Sequence, residues 1–273
     1  MDINNIPFAP PNFSGSIPEH YEQYLGPIFF EPYAIEISKR VDASLVQVAL
    51  EIGCGTGRVT RHLRKIIPSA SKLIASDISP DMLTVAKEKL KKLNIDWQII
   101  DAQQLPFADN SVDLVVCSFG YMFVPDKPKA FAEAYRVLRP QGMLLFSTWD
   151  KLEHIGASDT YRKIVRKFLG DSLPESYNLP FSMNDQSAIK LMLQETGFSK
   201  ITIESVDKLS ISQTAKEAAN GLARGGSIYN EIVKRDPSLV EKIVKTLEKA
   251  LIEKFGNSPM IAPMKAVVCQ AWK

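Results

Sequence analysis

The sequence predicts an α/β protein built on a doubly wound, mostly parallel sheet. Three observations lead there. From Val46 onward, short apolar runs alternate with amphipathic helical stretches, the pattern of repeated βαβ units. A glycine-rich turn joins the first apolar run to the first helix of that series. Three successive runs end in or beside a carboxylate, at Glu51, Asp77 and Asp101.

The elements follow in chain order. Pro18 to Val41 has helical character at both ends, and Gly26-Pro27 and Glu31-Pro32 are expected to break it into pieces. Strands are predicted at Val46 to Ile52, Lys72 to Asp77, Asp96 to Asp101, Val112 to Phe119 and Met143 to Trp149. Ser79-Pro80 starts a helix: the serine can accept from an otherwise unpaired N–H, and the proline has no N–H to leave unpaired. Met82, Leu83, Ala86 and Leu90 give that helix one apolar face. Beyond Asp150 the alternation weakens. Asn184 to Gly197 reads as a capped helix with a glycine stop, followed by a strand at Ile201 to Val206. Thr214 with Glu217 forms a capping box, Pro237 to Phe255 carries an apolar stripe, and Met264 to Trp272 closes the chain as a strand.

Composition excludes several classes. A hydrophobic content of 45% is ample for a packed core, while 33 Lys and Arg against 31 Asp and Glu lack the basic excess of many nucleic-acid binders. Cys54, Cys117 and Cys269 are odd in number and widely spaced, which disfavours a disulfide framework or a metal site and suits a reducing cytoplasm. Met1 to Asn12 shows no basic start followed by an apolar run, so no signal peptide is expected. The most apolar segment, Val112 to Val124, is too short to span a membrane and contains Asp113.

The glycine-rich turn is Gly53-Cys54-Gly55-Thr56-Gly57, followed by a helix over Arg58 to Ile66. Glycines let a ligand approach the backbone, and the free N–H groups of a helix start attract an anion. Ligands of open α/β sheets bind outside the carboxyl ends of the strands, where Glu51, Asp77 and Asp101 fall. Asp77 lies about twenty residues beyond the glycines, the position of an acid that takes ribose hydroxyls. A dinucleotide fits poorly, because Glu51 would sit beside its pyrophosphate and Arg58 replaces the third glycine of the fingerprint. S-adenosylmethionine fits better: it has no phosphate, its carboxylate suits the helix start, and its ammonium and sulfonium suit acidic neighbours.

Glu51 to Gly57 (EIGCGTG), Ala75 to Leu83 (ASDISPDML), Asp101 to Phe107 (DAQQLPF), Ser111 to Asp126 (SVDLVVCSFGYMFVPD) and Arg136 to Trp149 (RVLRPQGMLLFSTW) resemble the successive motifs of class I S-adenosylmethionine-dependent methyltransferases. The similarity is greatest to the ubiquinone/menaquinone-biosynthesis-like group, methyltransferase type 11, and covers about Pro18 to Asp150. The resemblance implies a seven-stranded sheet whose last strand is antiparallel and inserted beside the fifth. It implies that Glu51, Gly53, Cys54, Gly55 and Gly57 surround the methionine part and that Asp77 binds the ribose. Ile78 and Met82 would flank adenine, Asp101, Ala102 and Gln103 would lie at its edge, and Ser118 and Phe119 near the sulfonium. One departure is Gln141, where such chains usually carry glycine. The implied organisation is an N-terminal arm with covering helices over residues 1–45, a core over 46–212 and 257–273, and a helical insertion, or lid, over 213–256.

Methyl transfer needs alignment, a dry cavity and sometimes a base. His20 and His154 are the candidate bases, and each reads first as a surface or capping histidine. His62, among Arg58, Arg61, Arg64 and Lys65, is expected on a solvated basic face. Tyr21, Tyr24, Tyr121, Phe123 and Trp149 are candidates for an acceptor pocket, in addition to Phe119. A small-molecule acceptor is favoured over RNA: Ser118-Phe119-Gly120-Tyr121 lacks the Pro-Pro-aromatic motif of many exocyclic-amine methyltransferases, and no RNA-binding module is appended. The product would be S-adenosylhomocysteine, with no metal required. Alternatives are cofactor binding without catalysis, transfer to RNA or protein, and an NAD-dependent dehydrogenase.

Overall fold

In the computed structural model, which describes residues 15, 17–170, 173, 177–226 and 228–273, seven strands form one sheet in the order β3-β2-β1-β4-β5-β7-β6. The expected N-terminal arm before Gly15 lies outside the described residues. β1 (Val48–Ile52), β2 (Lys72–Asp77), β3 (Asp96–Ile99), β4 (Val112–Ser118) and β5 (Leu138–Trp149) pair in parallel. β7 (Met260–Trp272) runs antiparallel to both β5 and β6 (Ser199–Ser212), so the last strand is inserted beside the fifth.

Side-chain alternation sends β4 residues to both faces, as a sheet covered on both sides requires. Leu114 and Val116 pack with Ala34 and Ile37 of α2 (Glu31–Lys39) and Val59 and Leu63 of α3 (Arg58–Ile66). Val115 and Cys117 face the opposite layer. There, α5 (Lys127–Val137), α6 (Gly156–Leu169), α7 (Gln186–Thr196), α8 (Ala215–Arg224) and α10 (Leu239–Phe255) contribute the buried residues. α8, α9 (Tyr229–Arg235) and α10 lie in sequence between β6 and β7. The helix starts follow local chemistry: Ser79 Oγ accepts from Met82 N–H at the start of α4 (Pro80–Lys89), Asp185 caps α7, and Thr214 Oγ1 accepts from Glu217 N–H on α8.

Several strands differ from expectation at their ends. β5 begins at Leu138 rather than Met143, because Leu138 already pairs with Val112; the ladder is then interrupted until Met143 meets Leu114. Gln141 sits in that interruption with φ 68°, the left-handed conformation that glycine adopts without strain. This irregularity lies at the opposite end of β5 from Trp149. β6 and β7 are longer than predicted because they pair over most of each other's length.

The N-terminal helices depart more from expectation. α1 (Ile17–His20), a π-helix over Tyr21–Phe30 and α2 follow one another while His20, Phe30 and Glu31 all keep right-handed helical dihedrals. The prolines therefore change the hydrogen-bond register and do not break the path. Pro27 has no N–H and its ring crowds the carbonyl four residues back; a π register, in which Glu31 N–H donates to Gly26 O, accommodates both.

The basic face of α3 is a second correction. Arg58 is buried: its Nη2 lies 2.7 Å from Glu22 Oε1 and donates to Glu22 O at 2.8 Å, and its Nη1 lies 3.2 Å from Glu31 Oε2. Arg61 also pairs with Glu31, and His62 Nε2 lies 2.8 Å from Glu31 Oε1. The face is covered because the acidic side of the N-terminal helices packs on it. A Cβ on Gly26 would overlap the Arg58 guanidinium, so glycine permits the close approach. Hydrogen bonds from His62 and Arg61 outweigh burial and hold the Glu31 carboxyl below the usual range.

Removing one partner of a buried ion pair leaves the other charge uncompensated. Arg58→Met is expected to destabilise the protein by about 3 kcal/mol and lower its melting temperature by about 6 °C or more, measured by calorimetry. Adding Glu22→Gln to that variant should recover part of the loss. An unchanged melting temperature for the single variant would contradict the burial described.

Candidate active site

The strand order reverses at β1, whose neighbours β2 and β4 follow in opposite directions, and a crevice opens there at the carboxyl ends of the strands. It holds a cavity of about 450 Å³, within the range of small-molecule sites. Gly53, Gly55 and Gly57 all have positive φ, at 64°, 55° and 83°, so the turn from β1 to α3 bends three times where other residues would be strained. No atom lies within 4 Å of a Cβ built on Gly55, leaving the backbone open to the cavity.

Asp77 is fixed from both sides. Gly55 N–H donates to its Oδ2 at 2.8 Å and Ser79 N–H to its Oδ1 at 2.9 Å, so the glycine turn and the start of α4 are tied through one carboxylate. Asp101 accepts from Gln103 N–H at 2.9 Å and from the Gln103 side-chain amide at 3.1 Å. Gln103 Oε1 in turn accepts from Asp126 N–H. Ser118 and Ser147 share a hydroxyl hydrogen bond of 2.9 Å.

The structure brings together most of the residues singled out from sequence. Gly53, Gly55, Asp77, Ile78, Met82, Asp101, Ala102, Gln103, Ser118 and Phe119 line the cavity, as do Tyr21, Phe123 and Trp149. Glu51, Cys54 and Gly57 are not in its wall. Tyr24 packs against Gly221 of α8, and Tyr121 is fully buried between Phe131 and Phe146. His20 stacks on Tyr24, while half-exposed His154 has Nδ1 3.4 Å from Asp150 Oδ1; neither lines the cavity.

Phe119 has φ 57°, an uncommon and strained conformation for a bulky residue. Its N–H donates to Ser147 O at 2.9 Å, and its ring stacks on Trp149 with centroids 4.2 Å apart. Phe30 meets both rings edge-on and lies 4.8 Å from Tyr21, extending the aromatic wall onto the π-helix. Sequence reasoning missed Leu25 and Phe30, together with Ser158 and Tyr161 of α6, Tyr177 and Phe181. The stripe Ala157, Thr160, Tyr161, Ile164 and Val165 was a readable helical signal. What sequence lacked was any indication of which element that stripe faces.

The electrostatics ask for a cation. The Glu51 carboxyl is 2% exposed, its Oε2 has no hydrogen-bond partner, and burial, with the charge of Asp77 adding to it, pushes its pKa up to about 8. Burial also raises Asp77, against the opposing effect of the N–H groups of Ser79 and Gly55. Two carboxyls held against ionisation beside an open glycine turn suit a positively charged ligand without phosphate.

Comparison with known proteins agrees. The "Methyltransferase domain" family matches residues 50–146. The ubiquinone/menaquinone biosynthesis C-methyltransferase UbiE of Pseudoalteromonas translucida is 35% identical over 171 residues, 58% of this chain and 68% of that protein. Its namesake from Escherichia coli K12 is 33% identical over 180 residues, 61% of this chain and 70% of that one. In fold, the chain is similar to phosphoethanolamine N-methyltransferase 2 of Haemonchus contortus, solved with phosphomonomethylethanolamine and S-adenosylhomocysteine. That likeness has a TM-score of 0.61 at 20% identity and covers 94% of this chain and 56% of the other. The chain belongs to the class I S-adenosylmethionine-dependent methyltransferases. S-adenosylmethionine is the cofactor of that class.

A carboxyl whose pKa is higher folded than unfolded keeps its proton in the folded state after the unfolded chain has lost it. Stability of the cofactor-free protein therefore falls as pH rises from about 4.5 to about 8 through Glu51. A bound cation favours the carboxylate and expels the proton. Calorimetry at pH 7 in buffers of different ionisation enthalpy is expected to show net proton release on cofactor binding, and Glu51→Gln should abolish it. Equal release by both proteins would contradict this reading.

Proposed function

We propose that this protein transfers the methyl group of S-adenosylmethionine to a small-molecule acceptor held in the apolar half of the cavity. The observation that carries the proposal is the cavity itself, whose lining combines the strand-end carboxylates Asp77 and Asp101 with aromatic and aliphatic side chains. Bound S-adenosylmethionine supplies an electrophilic methyl on a sulfonium. The protein's share is alignment and exclusion of water.

In this reading Asp77, oriented by Gly55 and Ser79, holds the ribose hydroxyls. Ile78, Met82 and Ala102 wall the adenine, with Asp101 and Gln103 at its edge. The backbone at Gly53 and Gly55 admits the methionine part, and Glu51 offsets its ammonium from behind the turn. Ser118 and the rings of Phe119, Trp149, Phe30 and Tyr21 bound the sulfonium region, where aromatic faces attract a cation while excluding water. The π-helix and the helical segment over residues 213–256, through Leu222, Gly225 and Ile228, cover the crevice as a lid. The core then comprises residues 46–212 and 257–273.

RNA is disfavoured because the basic face of α3 is already paired with Glu22 and Glu31. Among the described residues no helix is long and apolar enough to cross a membrane. The three cysteines are buried free thiols, which suits a reducing cytoplasm.

Incubating the protein with methyl-labelled donor and a metabolite extract is expected to label a small molecule, identified by mass spectrometry. Asp77→Asn should weaken cofactor binding by about tenfold or more, since a charged acceptor of hydrogen bonds is lost. Cofactor binding without label transfer to any metabolite would leave a binding protein instead. Once an acceptor is found, His20→Gln and His154→Gln are expected to keep turnover near the wild-type rate, because neither ring reaches the cavity. A loss of more than about tenfold in either would restore that histidine as a base.

A further inference from the structure

The two edges of the sheet are β3 and β6, and they differ. β3 has 4 residues, which makes it a blunt edge, whereas β6 runs for 14 with no proline or glycine to interrupt a ladder. β6 pairs with β7 alone, so among the described residues no strand meets its outer edge. An edge of that length is a template for further strand addition, through its unpaired N–H and C=O groups.

One face of β6 turns apolar and exposed where β6 and β7 run beyond β5. β5 meets β7 only from Ala266 onward, while Asp207 to Ser212 of β6 pair with Lys265 to Met260. In that projecting ribbon Leu209 is 53% exposed and Ile211 54%, with Ile261, 41% exposed, directly opposite Ile211. Ile203, half-buried, stands further back on the same face of β6.

The other face of β6 carries charges in a self-complementary order. Lys208 lies 2.8 Å from Glu36 of α2, and Glu204 lies 2.8 Å from Arg40 just past that helix; Arg40 also pairs with Glu36. A two-fold axis through an antiparallel pair sets each residue against the one an equal distance beyond the axis on the other strand. With the axis at Val206, Lys208 meets the partner's Glu204, Leu209 meets the partner's Ile203, and Ile211 lies diagonal to that isoleucine. Charges then alternate from Arg40 through Glu204 to the partner's Lys208 and Glu36. Moving the axis by one residue sets Asp207 against Ile203 in one direction, or against its own copy in the other, and loses the Lys–Glu contact either way.

We propose that β6 is a dimerisation edge, along which two copies of this chain pair antiparallel about an axis at Val206 and join their sheets into one. A second copy fits because one register satisfies both faces at once, apolar against apolar on one and acid against base on the other. The charges that would keep most strands off this edge match a copy of themselves.

The test reads mass and register separately. Sedimentation equilibrium of the full chain at micromolar concentration is expected to give twice the mass of one chain. Leu209→Lys with Ile211→Lys should weaken dimerisation by more than about tenfold, since both remove apolar contact from the interface. Both side chains are more than half exposed in the single chain, so its circular dichroism and S-adenosylhomocysteine binding should stay unchanged, which separates lost pairing from lost folding. For register, Ser205→Cys and Asp207→Cys proteins, mixed and mildly oxidised, are expected to form a mixed disulfide, because these two positions face each other across the axis. Ser205→Cys mixed with Leu209→Cys should cross-link far less, and the native cysteines are buried and do not compete. A wild-type chain that stays monomeric, a dimer that survives both lysines, or cross-linking that favours positions 205 and 209 would overturn the inference.

Discussion

A cluster of buried charges holds the N-terminal helices on the crevice. Glu22 accepts from Thr56 of the glycine turn at 2.6 Å while pairing with Arg58 and Lys89, and Glu31 meets Arg58, Arg61 and His62. Glu22 lies on the π-helix and Glu31 opens α2, which is tied again further along where Tyr33 Oη donates to Val206 O and Glu36 pairs with Lys208. Apolar burial is non-directional and would tolerate sliding; the ion pairs fix which turn of the helix faces the cavity. That placement puts Tyr21, Leu25 and Phe30 in the cavity wall. The same cluster touches the turn through Thr56, so the N-terminal helices and the glycine turn are tied together.

Around this unit the site stores cost as well as stability. Glu51 and Asp77 resist ionisation, and Phe119 occupies a backbone region that most residues avoid. Each is maintained by better satisfied surroundings, including the N–H groups on Asp77 and the Phe119–Trp149 stack. A cationic ligand would relieve the carboxyls, and the strained Phe119 places its ring in the cavity wall against Trp149. Asp77 and Asp101 of the cavity wall stand at or just past strand ends, while the π-helix and α8 bring Tyr21, Leu25, Phe30 and Leu222 to it.

Legibility in sequence followed the range of the forces involved. β1 to β5, the glycine turn and Asp77 are visible because each rests on local pattern: an apolar run, a bend, a carboxylate at the strand end. The placement of Glu22 and Glu31 on Arg58 joins residues 36 and 27 positions apart and has no local signature. Read by composition alone, α3 looks like a basic surface. The continuous path through Pro27 was equally hidden, because a π register cancels the usual penalty of proline in a helix. Tyr161 lies where strand and helix cease to alternate, so its stripe was readable as a helix and unreadable as a wall of the cavity. The long pairing of β6 with β7 depends on partners more than fifty residues apart at most positions, which hydropathy within either strand does not encode.

A crystal structure with S-adenosylhomocysteine bound would test the central claim most directly. The expected density places the ribose hydroxyls on the Asp77 carboxylate, adenine between Ile78, Met82 and Ala102, and the sulfur toward Phe119, with the N-terminal helices still pinned through Glu22 and Arg58. Ligand density away from Asp77, or with the sulfur turned from the aromatic wall, would contradict it.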